Sequence, residues 1–211
     1  MSARDRLSSG AALRESDTVM PLELFFDLVF VLAITQATAL MAAEPTWSGI
    51  VKGLLVLAVM WWAWVGYSWL TSVVDPEAGV VRLAIAGAIA ALLVCALCIP
   101  GVFGDDGLLF AAAYGVVRIG QIVLFVHASR DDAALRASVL RLGASTVVGT
   151  GLLVAASAAD GELQVAIWCV AVVVDFAGAI IADPAGWQLR PHHFAERHGL
   201  IIIIALGESI V

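Results

Sequence analysis

Twelve side chains in this 211-residue sequence have the types and spacing to do chemistry in a surrounding that suits none of them. Glu23 and Asp27 interrupt the apolar run "ELFFDLVF". Four residues apart on a helix, the two carboxylates share one face, about one turn apart. Two neighbouring carboxylates can share a proton or a cation, because the charge on one disfavours ionisation of the other. Tyr114, Arg118 and Gln121 form a polar stripe within "AAAYGVVRIGQIVLF", at i, i+4 and i+7. Asp175 sits in the middle of "VAVVVDFAGAI". Glu208 and a cluster of His192, His193, Glu196, Arg197 and His198 fall in "RPHHFAERHGLIIIIALGES".

Arginine cannot readily give up its proton, so Arg118 needs a carboxylate, water or a ligand anion. Asp175 matches it in depth, and Gly178 on the same face permits close helix approach. An Arg118–Asp175 pair is therefore expected, with Glu208 as the rival partner. Such a pair can also do no more than fix packing. Glu23 is expected near the membrane interface, where an acid suits a helix N-terminus. Asp27, a turn deeper, is expected to be buried and partnered, with Phe25 and Phe26 anchoring neighbouring faces. Arg197 and Glu208 share a face about 16 Å apart by helical rise, marking a track and not a contact.

The histidine cluster is expected at the interface and solvated. "HFAERH" is neither H-E-x-x-H nor H-x-x-E-H, so no metal site is expected. No G-x-S-x-G, P-loop or dinucleotide fingerprint appears, and no cofactor or catalytic residue is expected. Cys95, Cys98 and Cys169 all lie in apolar segments and read as free thiols; "CALC" lacks the context of a redox motif.

The elements that carry these residues follow from composition. Hydrophobic residues make up 62% of the chain and charged ones 14%, with a mean hydropathy of +0.99. A soluble domain is roughly 45–50% apolar and about 25% charged. A transmembrane helix needs about 20 mostly apolar residues. Such runs fall at approximately 22–42, 49–72, 79–99, 107–127, 138–158 and 163–182, and another opens near 195. Pro, Gly or acidic residues break them at Pro45, Pro76, Pro100-Gly101, Asp160-Gly161 and Pro184. The expectation is an all-α polytopic bundle of six complete helices and a truncated seventh. Residues 1–20 form a polar tail and residues 21–211 the membrane domain. The tail lacks the apolar core of a cleavable signal peptide.

Counting Arg and Lys near helix ends places Arg4, Arg6, Arg14, Arg82, Arg130, Arg136, Arg141, Arg190 and Arg197 on one side and Lys52 alone on the other. The positive-inside rule then puts the N-terminus in the cytoplasm, in an inner or plasma membrane. The net charge of −7 argues against nucleic acid. Expected partners are membrane lipids and a small ion or solute, with a homo-oligomer left open.

Two motifs read together carry a resemblance. "ELFFDLVFVLAITQ" (23–36) and "HFAERHGLIIIIALGESIV" (193–211), supported by "WWAWVGYSWLTSVVD" (61–75) and the Arg118 helix, resemble the bacterial low temperature requirement protein A family. The matching motif positions are Glu23, Phe25, Phe26, Asp27, Glu196, Arg197, Gly199, Gly207, Glu208 and Ser209. The resemblance implies a polytopic cytoplasmic-membrane protein linked to growth in the cold, and members longer than this chain, so a fragment is expected. It implies no settled activity. Three readings follow from the residues themselves. One is a transporter or channel for a small ion or solute with an acidic polar path. Another is a non-transporting sensor, scaffold or lipid-binding protein whose charges are paired and dry. The third is a membrane enzyme built on the histidine cluster.

Overall fold

A computed structural model of the protein describes residues 21–74, 79–181 and 191–208, excluding the side chains of 73, 191–193 and 208. Among the described residues there are seven α-helices: α1 (Pro21–Ala43), α2 (Trp47–Val73), α3 (Gly79–Cys98), α4 (Gly107–Ala128), α5 (Ala133–Ala156), α6 (Gly161–Ile181) and α7 (Pro191–Glu208). The first six are long and apolar enough to cross a membrane. Large apolar side chains such as Leu83, Leu97, Val116, Val147, Val173 and Ile203 point outward. A bundle facing hydrocarbon can keep such a surface, because lipid does not penalise it as water does.

The helix ends follow from local chemistry. Thr46 caps α2 by accepting from the Gly49 amide at 3.2 Å. Its hydroxyl donates to Glu44, whose other oxygen pairs with Lys52 at 3.0 Å. Burial does not help this exposed carboxyl; the Lys52 ammonium beside it holds it below the usual carboxylate range. Pro100 stops α3 and diverts the chain through a 3₁₀ turn, Ile99–Gly101. Gly161 opens α6 with φ 59°, a conformation that costs other residues a clash at Cβ.

Two starts differ from the hydropathy reading. Helix α5 begins at Ala133 and not near 138, because Asp132 accepts from the amides of Ala134 and Leu135, both at 3.0 Å. That cap supports a first turn and a half whose Arg136 a hydropathy scan rejects. Helix α7 begins at Pro191, four residues before its apolar run. Proline suits the first turn, where its missing N–H costs nothing.

Packing sets α2 at the centre. It touches α1, α4, α6 and α7, while α3 lies against α1 and α4, and α5 against α4 and α6. No residue of α2 from Leu55 to Ser72 is fully exposed. Its aromatic side chains mesh with every neighbour. Trp61 and Trp64 pack on Phe30, Tyr67 on Phe26, and Trp62 stacks on Phe176 with centroids 4.2 Å apart. Cys95 and Cys98 are buried free thiols, and Cys169 is a free thiol on the exterior.

Candidate functional site: two buried ion networks

The inward stripe of α1 runs through Glu23, Phe26, Asp27, Phe30, Ala33 and Ala37, the i, i+3, i+4 spacing of one helix face. This stripe forces both acids into the bundle. Asp27 is fully buried, and its Oδ1 accepts from Trp64 Nε1 at 2.7 Å and from Arg197 Nη2. Arg197, 1% exposed, also donates through Nη1 to Thr71 at 2.9 Å. The same nitrogen lies 3.6 Å from Glu23. The guanidinium sits 5.5 Å from the Trp64 ring centroid, within cation–π range.

Two expectations are corrected here. Glu23 is not an exposed decoration of the helix start; it is 1% exposed, because it shares the stripe of Asp27. Arg197 does not belong to a solvated interfacial cluster. On α7, Phe194, Arg197, Ile201 and Ile204 turn toward the bundle, while Glu196 faces outward. His198 is also drawn in. Its ring packs edge-on to Trp64 at 4.7 Å, and its Nδ1 lies 2.7 Å from the Phe194 carbonyl. The side chains of His192, His193 and Glu208 fall outside the described residues, as does the proposed track from Arg197 to Glu208. Phe26 is buried as expected, but Phe25 faces outward.

The second network joins α4, α5 and α6. Arg118, 1% exposed, donates to Asp175 Oδ1 at 2.8 Å, to Gln121 at 2.6 Å and to Thr146 at 3.1 Å. The remaining Asp175 oxygen accepts from the Tyr114 hydroxyl at 3.1 Å. The pair expected from matching depth is thus formed. Gly149 of α5 packs beside the pair, where an added Cβ would meet that of Asp175 at 3.5 Å, an ordinary contact. Beside Asp175 and Tyr114 is a pocket of ≈ 10 Å³, room for about one water molecule, with Trp62 and Phe176 in its wall. Arg118 Nε is buried and has no partner among the described residues.

Helix α2 connects the networks. Trp64 and Thr71 bond to the first. Gly66 lies directly against the Gln121 amide of the second, where any Cβ would collide. Tyr67, between them, packs on Phe26 and donates to the Val117 carbonyl at 3.0 Å. Sequence reasoning missed Trp64, Thr71, Tyr67 and Thr146. A neutral polar group in an apolar helix carries little signal, and only the i, i+7 spacing of Trp64 and Thr71 hints at a shared face.

Among the described residues, six membrane-length helices with α2 at their centre and guanidinium–carboxylate networks sealed inside define a multi-pass integral membrane protein. The chain belongs to the bacterial low temperature requirement A protein (LtrA) family, whose sequence pattern matches residues 18–211. It is similar to the uncharacterized protein RA0937 of Rhizobium meliloti (strain 1021), 30% identical over 199 residues. That match covers 90% of this chain and 49% of the relative, so the chain spans about half the length of the curated protein it matches. No solved structure matches it significantly.

Proposed function

We propose that the protein moves a small ion or small solute across the bacterial cytoplasmic membrane, with its N-terminus in the cytoplasm. The observation that carries this reading is the pair of buried ion networks joined through α2. Ionisable groups are costly in hydrocarbon and collect where ions or protons pass. A device that only fixes packing favours fully paired charges in a dry, filled interior. The left-over Arg118 Nε and the water-sized pocket at Asp175 argue for the polar path instead. Its members are Glu23 and Asp27 on one side of α2, and Tyr114, Arg118, Gln121 and Asp175 on the other. Glu208 is assigned to the path from the sequence, its side chain lying outside the described residues. The family description names a low-temperature requirement and no substrate, so the substrate class rests on the networks alone.

The test is flux in proteoliposomes holding the full-length protein, with H⁺, Na⁺, K⁺ and small anions offered in turn. Flux is expected for wild type and lost in Asp27→Asn protein that still elutes as one species with unchanged helicity. Flux equal to empty liposomes for every ion, or an unaffected Asp27→Asn, refutes the proposal.

A further inference from the structure

Asp27 is only half used by its partners. Its Oδ1 takes both the Trp64 and the Arg197 hydrogen bonds, while Oδ2, equally buried, has none among the described residues. An ionised carboxylate oxygen only accepts, so an orphaned one in a bundle core is costly. A second orphan lies on α2. Ser68 is 0% exposed and its Oγ has no partner among the described residues. It stands four residues after Trp64 and three before Thr71, whose polar atoms both reach the Asp27–Arg197 pair. Helical spacing puts the three on one face, with Ser68 between the other two. Nature seldom leaves two such oxygens unsatisfied on facing helices.

We propose that Asp27 Oδ2 and Ser68 Oγ mark a binding site for one monovalent cation, H⁺ or Na⁺, between α1 and α2 beside Arg197. As a proton site, Oδ2 gains the hydrogen; its bond to Ser68 Oγ, absent from the structure, forms only then. Oδ1 keeps its bonds from Trp64 and Arg197. As a sodium site, both oxygens are ligands to the ion. Among the described residues the charged groups beside Asp27 are Glu23 on its own helix and Arg197 on α7; Tyr67 of α2 and His198 of α7 stand one contact away, on Phe26 and Trp64. Helix α3 brings no charge there, because its Arg82 is exposed. Arg197 lies near both carboxylates, so a proton or sodium ion on Asp27 leaves Glu23 a larger share of the guanidinium's charge while the Oδ1 bond persists. This assignment deepens the transport reading by naming a coupling ion.

The test measures binding and flux separately, on the full-length protein in lipid nanodiscs and in liposomes. In the proton arm, infrared difference spectra across an acid titration should show a protonated-carboxyl stretch that Asp27→Asn lacks. In the sodium arm, the melting temperature should rise with NaCl but not with choline chloride at equal ionic strength. Ser68→Ala leaves the ion pair intact and guards against a misfolded Asp27→Asn. It should weaken sodium half-saturation, or move the carboxyl midpoint, by about tenfold, as loss of one buried hydrogen bond or ligand implies. Neither response in wild type, which is the result a bridging water alone would give, overturns the site. So does a response that survives Asp27→Asn. Binding without flux sinks the transport reading and spares the site; flux indifferent to pH and Na⁺, without binding, does the reverse.

Discussion

Removing Arg118 should cost more than removing Arg118 and the charge of Asp175 together. In Arg118→Met, Asp175 loses its 2.8 Å partner and keeps only the Tyr114 and Thr146 hydroxyls, at 3.1 and 3.4 Å. Gln121 Oε1 loses its 2.6 Å donor as well. A hydrogen bond to a charged group is worth about 1.5–3 kcal/mol, and stranding one partner of a buried ion pair costs about 3–5 kcal/mol. The single variant is expected near the upper range, because both groups are nearly inaccessible to water. In Arg118→Met/Asp175→Asn no charge is left to solvate, and the Asn side chain can still accept from Tyr114. The double variant should recover at least half of the loss, about 2 kcal/mol, and the coupling, which is that recovery plus the loss in Asp175→Asn alone, should lie well above the scatter of independent sites. The assay is reversible unfolding of purified protein in mixed micelles, followed by helicity for wild type, both single variants and the double. A single-variant loss below about 1 kcal/mol, or a double variant no better than the worse single, would show that the pair is solvated and that the sealed-network description is wrong.

Three further outcomes follow from the contacts. Gly66→Ala should destabilise by about 1–3 kcal/mol by pushing its Cβ into the Gln121 amide, whereas Gly87→Ala, with open space around it, should be neutral or stabilising by up to about 1 kcal/mol; paired melting curves decide this. Trp64→Phe keeps most of the packing but deletes the 2.7 Å bond to Asp27, and should lower stability by about 1.5–3 kcal/mol in the same unfolding assay. Asp132→Ala should cost about 1 kcal/mol and fray the start of α5, visible as faster amide exchange over residues 133–136, with Asp132→Asn restoring most of it.

What could be read from sequence was what hydrocarbon forbids. An arginine in the middle of α4 has to find an acid, and the acid at matching depth in α6 is the one it finds. Helix number followed from the same logic, since the bilayer fixes the length of each apolar run. The ends were harder, because a cap such as Asp132 extends a helix beyond the apolar stretch that reveals it. Arg197 was misplaced because its neighbours His193, Glu196 and His198 suggest water. The better signal was its register with Phe194, Ile201 and Ile204. Pairing across the chain lay beyond reach: nothing in residues 23–27 says that their guanidinium comes from α7 some 170 residues later. Neutral members such as Thr146 and Ser68 become visible only when a charge is seen beside them.

The close fit of Gly66 against Gln121 has a thermodynamic side. Helix α2 is a wall common to two charged compartments, held on one face by Trp64 and Thr71 and on the other by Tyr67 and Gln121. It cannot slide by one helical turn without breaking its bonds on both sides. Any movement of α2 that changes the bonds of one compartment must therefore also change those of the other. A substitution in the Arg118 network that shifts α2 should alter ion affinity at Asp27 without touching it.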